Sequence, residues 1–153
     1  MAKRVSLFGR DASGIRDKDF LKAAMAACAL TILADGDSAL SERFAIDDLL
    51  ARMERLRLYD PHKAIAILDD FMDRLRKDEA ESRHILLNKI ERLAKQREAA
   101  ELIPQIVTTV ALADGKVSAH EFAMLRHICA LLEVDSSEYE QALLDAAERN
   151  GEA

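Results

Sequence analysis

The sequence predicts an all-α protein, a single domain of about seven helices arranged as two pseudo-symmetric helix–turn–helix halves. Gly, Pro and aromatic residues are scarce, with five Gly, two Pro and 5% aromatics in 153 residues, and this favours helices over strands. Apolar residues recur at helical spacing along most of the chain. The tripeptide Ala-Asp-Gly occurs at 34–36 and again at 113–115, each time between two apolar helical runs.

The composition indicates one globular domain, because 50% of the residues are hydrophobic and 33% are charged. A chain of this length buries roughly 70% of the surface that it exposes when unfolded. We assign residues 1–14, which include Lys3, Arg4 and Arg10, to a flexible N-terminal arm and residues 15–150 to the helical domain.

Charge and hydropathy exclude several classes of partner. The net charge of −6 argues against a broad nucleic-acid surface. No signal peptide and no uninterrupted apolar span of membrane length is visible, so we expect a cytoplasmic protein without membrane insertion.

The first three helices are defined by their apolar residues and their starts. The first, over about 16–34, is apolar on nearly all sides near its end and is expected to be central and buried. The second, over about 41–57, turns its apolar side chains toward the core. The third begins at Asp60-Pro61, with Asp as N-cap and Pro as the first helical residue. The apolar residues of the first two are Phe20, Leu21, Ala24, Met25, Cys28, Leu30, Ile32 and Leu33, then Phe44, Ile46, Leu49, Leu50 and Met53.

The remaining four helices have similar signals. Asp78 and Glu81 resemble a capping box at the start of the fourth. The fifth, over 98–113, contains Pro104, which lacks a backbone donor, so this helix either begins near Ile103 or kinks there. The last two, over 118–132 and 136–147, each begin at a serine. The fourth helix has the apolar stripe Ile85, Leu86, Ile90 and Leu93.

The two Asp-Gly turns place four carboxylates at matched positions. Asp35 is followed seven residues later by Glu42, and Asp114 is followed seven residues later by Glu121. We expect the first helix and the 98–113 helix to pack together and to put both turns on one side, with Asp35 and Asp114 within roughly 10 to 12 Å, about one Debye length. Four carboxylates without His or Cys favour Ca²⁺ or Mg²⁺ over zinc.

Two interpretations of these carboxylates stay open. Asp114, Gly115 and Glu121 have the spacing of positions five, six and twelve of an EF-hand loop, but positions one and three fall on Val110 and Leu112, which offer no side-chain oxygen. One turn alone therefore cannot form a tight cage, and only the two together offer a weak site. In the alternative, Asp-Gly is an ordinary turn, Ser118 and Glu121 form a capping box, and Glu42 interacts with a helix dipole.

The paired turns carry a family resemblance. The segments Leu33-Ala34-Asp35-Gly36 and Leu112-Ala113-Asp114-Gly115-Lys116-Val117-Ser118, with their leading helices and spacing, resemble the bacterial tellurite-resistance TerB family from about Asp17 to Tyr139. The resemblance implies a small cytoplasmic helical domain linked to tellurite and other stress responses. It also implies that the acidic residues of the turns, here Asp35, Glu42, Asp114 and Glu121, bind a divalent metal.

Other chemistry-bearing residues do not form an enzyme motif. Glu81-Ser82-Arg83-His84 is a single Glu-x-x-His, whereas di-iron bundles need two. His120 and His127 are not part of His-Glu-x-x-His, so we expect exposed or capping histidines. Cys28 and Cys129 lie in apolar stretches and are expected to be buried and reduced.

We therefore expect a non-enzymatic stress-resistance accessory protein whose acidic turns bind Ca²⁺ or Mg²⁺ weakly. The alternative is a protein-interaction adaptor that uses the same carboxylates without metal. We expect the partner to be an unidentified protein. A homodimer, in which the partner is a second copy of this chain, is one alternative. Arg52, Arg55 and Arg57, with Lys63 nearby, are either a second partner patch or a solvated helix face.

Overall fold

The computed structural model describes residues 18–33, 47, 51, 61–112 and 117–152. Helices account for most of these residues, and no strand occurs among them, so the all-α prediction is confirmed. No helix in this part of the chain is both long and apolar enough to cross a membrane. The helices are α1 (Lys18–Ile32), α2 (Pro61–Lys77), α3 (Glu79–Glu91), α4 (Arg97–Ala111), α5 (Ala119–Leu132) and α6 (Ser137–Glu152).

Helix α1 is the centre of the domain. It packs against α2, α3, α4 and α5, and every residue from Ala23 to Ile32 is buried. Thr31, the polar residue in this run, donates its hydroxyl proton to the Ala27 carbonyl at 2.7 Å, which satisfies the buried hydroxyl. The prediction of a central, buried first helix is confirmed, as is its packing against the 98–113 helix, which is α4.

Helices α2 to α5 pack around α1. Asp78 alone separates α2 from α3, and its carboxylate accepts the Glu81 N–H at 3.4 Å as the N-cap of α3. Helix α5 lies against α3 and α4, while α6 packs on α4 and α5. At the start of α6 the Ser136 carbonyl accepts the Glu140 N–H at 2.8 Å, and the helix continues beyond residue 147, where the sequence predicted its end.

Pro104 does not mark the start of a helix. Helix α4 begins at Arg97 and continues through Pro104 to Ala111, so of the two predicted alternatives the start near Ile103 is wrong, and a kink at Pro104 stays a prediction. The proline ring removes one helical donor for the Ala100 carbonyl, a net loss of about 1 kcal/mol. Because Pro104 and most of its helical neighbours are buried, packing of this apolar helix compensates for the missing bond.

The apolar stripe of α3 also differs from the prediction. Leu86, Ile90 and Leu93 are buried, but Ile85 is 41% exposed. Ser82 takes the core-facing position one turn before Leu86 and donates its hydroxyl proton to the Arg74 carbonyl at 2.9 Å. The buried residues of α3 are Ser82, Leu86 and Ile90, which recur every four positions, and Ile85 lies about 100° from Leu86 around the helix, outside that stripe.

Some predicted elements lie outside the described residues. These are the arm over 1–14 and all of the predicted 41–57 helix except Asp47 and Ala51, which are helical and exposed. The pseudo-symmetry of the two halves therefore stays a prediction.

Candidate functional site

Of the four predicted carboxylates, Glu121 is the one that the structure describes. Asp35, Glu42 and Asp114 lie outside the described residues. Helices α1 and α4, which lead into the two turns, pack against each other. The predicted proximity of Asp35 and Asp114 stays a prediction.

Glu121 is a buried carboxylate at the start of α5. Its side chain is 2% exposed. Its Oε1 accepts the Ser118 backbone N–H at 3.0 Å, and the Ser118 hydroxyl accepts the Glu121 backbone N–H, also at 3.0 Å. This is a complete capping box, as the capping alternative predicted. The box satisfies two helix N-terminal donors and holds the carboxylate in one orientation directly after the second Asp-Gly turn.

The geometry sets limits on cation binding by Glu121. Oε1 is already used by the Ser118 N–H, so bidentate coordination at this residue would compete with the capping bond. An isolated buried charge is costly, so the buried carboxylate of Glu121 is expected to keep the Ser118 hydrogen bond that compensates its charge. Within the described ranges, no three side chains of the types His, Cys, Asp and Glu gather into a set that could hold a metal ion.

The cysteines are structural. Both are buried and unoxidised, as predicted. Burial raises the pKa of the Cys28 thiol to about 12, and burial together with the nearby carboxylates of Glu140 and Asp135 raises the pKa of Cys129 to about 11. Neither is a thiolate at neutral pH, and the thiolate is the reactive form.

The histidines of the sequence motifs are exposed. Glu81 and His84 are both solvent-facing on α3, and the His84 ring lies 3.4 Å from the Asn88 side-chain amide. His120 and His127 are exposed on α5 and line a cleft of about 410 Å³ with Arg83 and Leu87 of α3. The predicted exposure of these two histidines is confirmed. Of the basic cluster, Lys63 is exposed, while Arg52, Arg55 and Arg57 lie outside the described residues.

A groove between α2 and α3 was not foreseen from the sequence. We call it the α2/α3 groove, and it has a volume of about 310 Å³. Phe71 and Leu86 form its apolar floor, and the exposed Ile85 lies on its wall. Its cations are Arg74, Lys77 and Lys89, and its anions are Asp78 and Glu81.

The charges of the α2/α3 groove differ in whether they are paired. Arg74 is paired with Asp70 at 2.9 Å, and Asp78 is occupied as a helix cap. Among the described residues Lys77, Lys89 and Glu81 have no ion-pair partner. A pair of unpaired cations beside an apolar surface suits an acidic, amphipathic ligand. Lys77, Ile85 and Lys89 lie on two different helices. The sequence therefore indicates that they line one groove only when the packing of α2 against α3 is already known.

Comparison with known proteins gives one match. The family described as tellurite resistance protein TerB matches residues 21–144, which is most of the chain. No curated protein and no solved structure matches the chain.

Proposed function

Because the chain belongs to the TerB family of tellurite resistance proteins, we propose that it is a non-enzymatic, cytoplasmic accessory of tellurite and stress resistance whose two acidic turns bind a divalent cation weakly. Asp35, Glu42, Asp114 and Glu121 are the proposed ligands, and Ca²⁺ or Mg²⁺ the proposed ion. The observation that carries this proposal is the buried, oriented carboxylate of Glu121, directly after the second Asp-Gly turn.

The type and number of the ligand oxygens support weak cation binding. Carboxylate oxygens are the ligands preferred by Ca²⁺ and Mg²⁺. Since Glu121 uses Oε1 in its capping box, two-oxygen coordination by this residue would compete with the capping bond. A ligand set of single oxygens from four side chains falls below the six to eight that calcium takes, so water must complete the shell.

The second candidate is an adaptor that uses the acidic turns without metal. The observation that favours it is the same capping box, which gives Glu121 a structural purpose independent of any cation. In this case the carboxylates of the turns attract basic residues of a partner protein.

A cation titration separates the two candidates. We expect Ca²⁺ or Mg²⁺ to shift the amide resonances of Asp35, Gly36, Asp114 and Gly115 in a saturable way, while NaCl of equal ionic strength does not. The variant Glu121→Gln keeps a side-chain oxygen for the capping box, because Gln also serves at this position, and it should weaken cation binding.

Glu81→Gln is the matched control. Glu81 occupies the same third position after the N-cap of α3 but is exposed, so its replacement should leave cation binding unchanged. Equal shifts with sodium and calcium would reject the metal site and leave the adaptor.

A further inference from the structure

Two large apolar side chains stand out on the described surface because they are exposed. Ile85 of α3 is 41% exposed and Leu144 of α6 is 46% exposed. No other large hydrophobic residue in the described ranges reaches this exposure. Isolated exposed leucines are common, so exposure alone does not mark either residue as part of a contact.

Leu144 lies on the outer face of α6, opposite its core-facing side. The core-facing residues are Leu143 and Ala146, which are buried. Gln141, Leu144 and Glu148 are exposed at helical spacing and form one stripe. Helix α6 therefore presents one leucine between a polar and an acidic neighbour, and this leucine is an apolar anchor available to a groove.

Helix α6 as a whole is acidic, and Glu148 gives the Leu144 stripe its negative charge. The acidic residues of α6 outnumber its one basic residue, Arg149. Glu148 has no ion-pair partner within the described part of the chain, so its charge is available to a second molecule. The acidic residues of α6 are Glu138, Glu140, Asp145, Glu148 and Glu152.

The α2/α3 groove has the complementary features. It offers Ile85 and an apolar floor, with the unpaired cations Lys77 and Lys89 beside them. An apolar anchor beside a carboxylate matches an apolar floor beside the ammonium groups of Lys77 and Lys89, although Asp78 and Glu81 add two negative charges to the same lining.

We propose that α6 of one copy of this chain docks in the α2/α3 groove of a second copy, with Leu144 against Ile85 and Glu148 near Lys77 and Lys89. The contact joins two different surfaces. In the proposed head-to-tail form each copy keeps one free groove and one free α6, whereas a closed two-fold dimer would use both grooves at once. The contact uses neither acidic turn and is independent of the proposed cation site.

Local charge favours this contact over one between two α6 helices. The net charge of −6 opposes any association of two copies, so the choice between arrangements depends on the charges at the contact. A contact between α6 and a second α6 would bring acidic helices together, whereas the head-to-tail contact brings an acidic helix to unpaired lysines. The groove volume of about 310 Å³ holds only a few side chains, so the association is weak and concentration-dependent.

Sedimentation velocity of the full chain over a concentration series tests the proposal. We expect the average mass to rise with concentration, and we expect Ile85→Asp and Leu144→Asp each to weaken the association at least about tenfold. Ala66→Asp is the matched control, because Ala66 is an exposed residue of α2 outside the groove. It should behave as the unchanged chain.

Mixing the two variants gives the decisive readout. The Ile85→Asp copy retains an intact α6 and the Leu144→Asp copy retains an intact groove, so the mixture should form dimers that grow no further. A chain that stays monomeric up to about 1 mM, or a mixture that fails to pair, would overturn the proposal. Far-UV circular dichroism of each variant establishes that the helices are retained.

A charge exchange gives a second, independent readout. Glu148→Lys alone and Lys77→Glu with Lys89→Glu should each weaken the association, and a mixture of the two should restore it. Restoration requires that these charges face each other across the contact, since a purely apolar contact would not distinguish the mixture from its components.

Discussion

Arg97, the first residue of α4, donates a guanidinium hydrogen bond to the carbonyl oxygen of Glu133 at 2.8 Å, across 36 positions of sequence. The same guanidinium donates to the Leu132 carbonyl at 2.8 Å. Both carbonyls lie at the C-terminal end of α5, where helix carbonyls lack helical donors and the dipole is negative. Arg97 therefore connects the start of α4 to the end of α5, the helix that begins with the Glu121 capping box.

Loss of the Arg97 guanidinium should destabilise this connection. We expect Arg97→Ala to lower the free energy of unfolding by about 1 to 2 kcal/mol, because hydrogen bonds from charged donors contribute more than neutral ones. Urea denaturation at neutral pH measures the change. Arg92→Ala is the control, since Arg92 is exposed and its side chain has no described partner; an equal loss there would contradict the assigned role.

Glu133 holds a backbone conformation that glycine prefers. Its φ is 58°, and it terminates α5 with hydrogen bonds from the Glu133 N–H to the Ala130 carbonyl and from the Val134 N–H to the Cys129 carbonyl, the pattern of a Schellman motif. We expect Glu133→Gly to raise the free energy of unfolding by up to about 1 kcal/mol. Glu133→Ala keeps the steric penalty and should give no such gain. Thermal denaturation of both variants is the measurement.

The start of α6 should make part of the stability sensitive to acid. Hydrogen bonds from Ser136 and then from Arg126 lower the pKa of Glu140 below its ordinary value of 4.5. A carboxylate with a lowered folded-state pKa stabilises the fold above its unfolded pKa, and this contribution is lost as the pH falls through the folded pKa. Glu140→Gln should therefore be less stable than the unchanged chain at pH 7, and the difference should shrink below pH 4.5.

The exposed neighbour Glu138 provides the comparison for Glu140. Glu138→Gln should leave the acid dependence unchanged, measured by urea denaturation from pH 7 to pH 3. A pH-independent difference between Glu140→Gln and the unchanged chain would show that the carboxylate charge is not responsible.

The thiols should resist modification in the native state. Raised pKa values of about 12 for Cys28 and about 11 for Cys129, together with burial, predict that an aromatic disulfide reagent at pH 8 labels both only as the protein opens. In urea both should react at once. Since these folded-state pKa values lie above the ordinary value of 9.0, the neutral thiols stabilise the fold below pH 9, and this contribution declines as the pH rises further. Rapid native labelling would contradict the prediction.

Repulsion among the acidic turns should be measurable without any metal. If Asp35, Glu42, Asp114 and Glu121 gather, Asp35→Asn combined with Asp114→Asn should raise the melting temperature of the cation-free protein and abolish its response to millimolar Ca²⁺ or Mg²⁺. A ligand at a hundred times its dissociation constant adds about 2.7 kcal/mol to a protein that binds it only when folded. An unchanged melting temperature in the double variant would mean that the carboxylates of the two turns do not repel each other.

The sequence by itself determined the elements whose signals are local. Pro61, Asp78 and Ser118 mark helix starts in the structure because capping and proline geometry involve only neighbouring residues. The all-round apolar run of α1 predicted its central position, since such a helix has no face suited to water. The family was predicted from the order and spacing of the two turns, which the match over residues 21–144 confirms.

Only the tertiary structure decided which apolar residues are exposed and which polar residues are buried against expectation. Pro104 is accommodated within α4 because burial compensates for its missing donor, a balance that no local pattern contains. Ile85 is exposed and Ser82 is buried because α3 packs through a single stripe whose rotation depends on its neighbours. The α2/α3 groove and the bond from Arg97 to Glu133 join residues distant in sequence, and such pairs are set by the packing of whole helices rather than by local spacing.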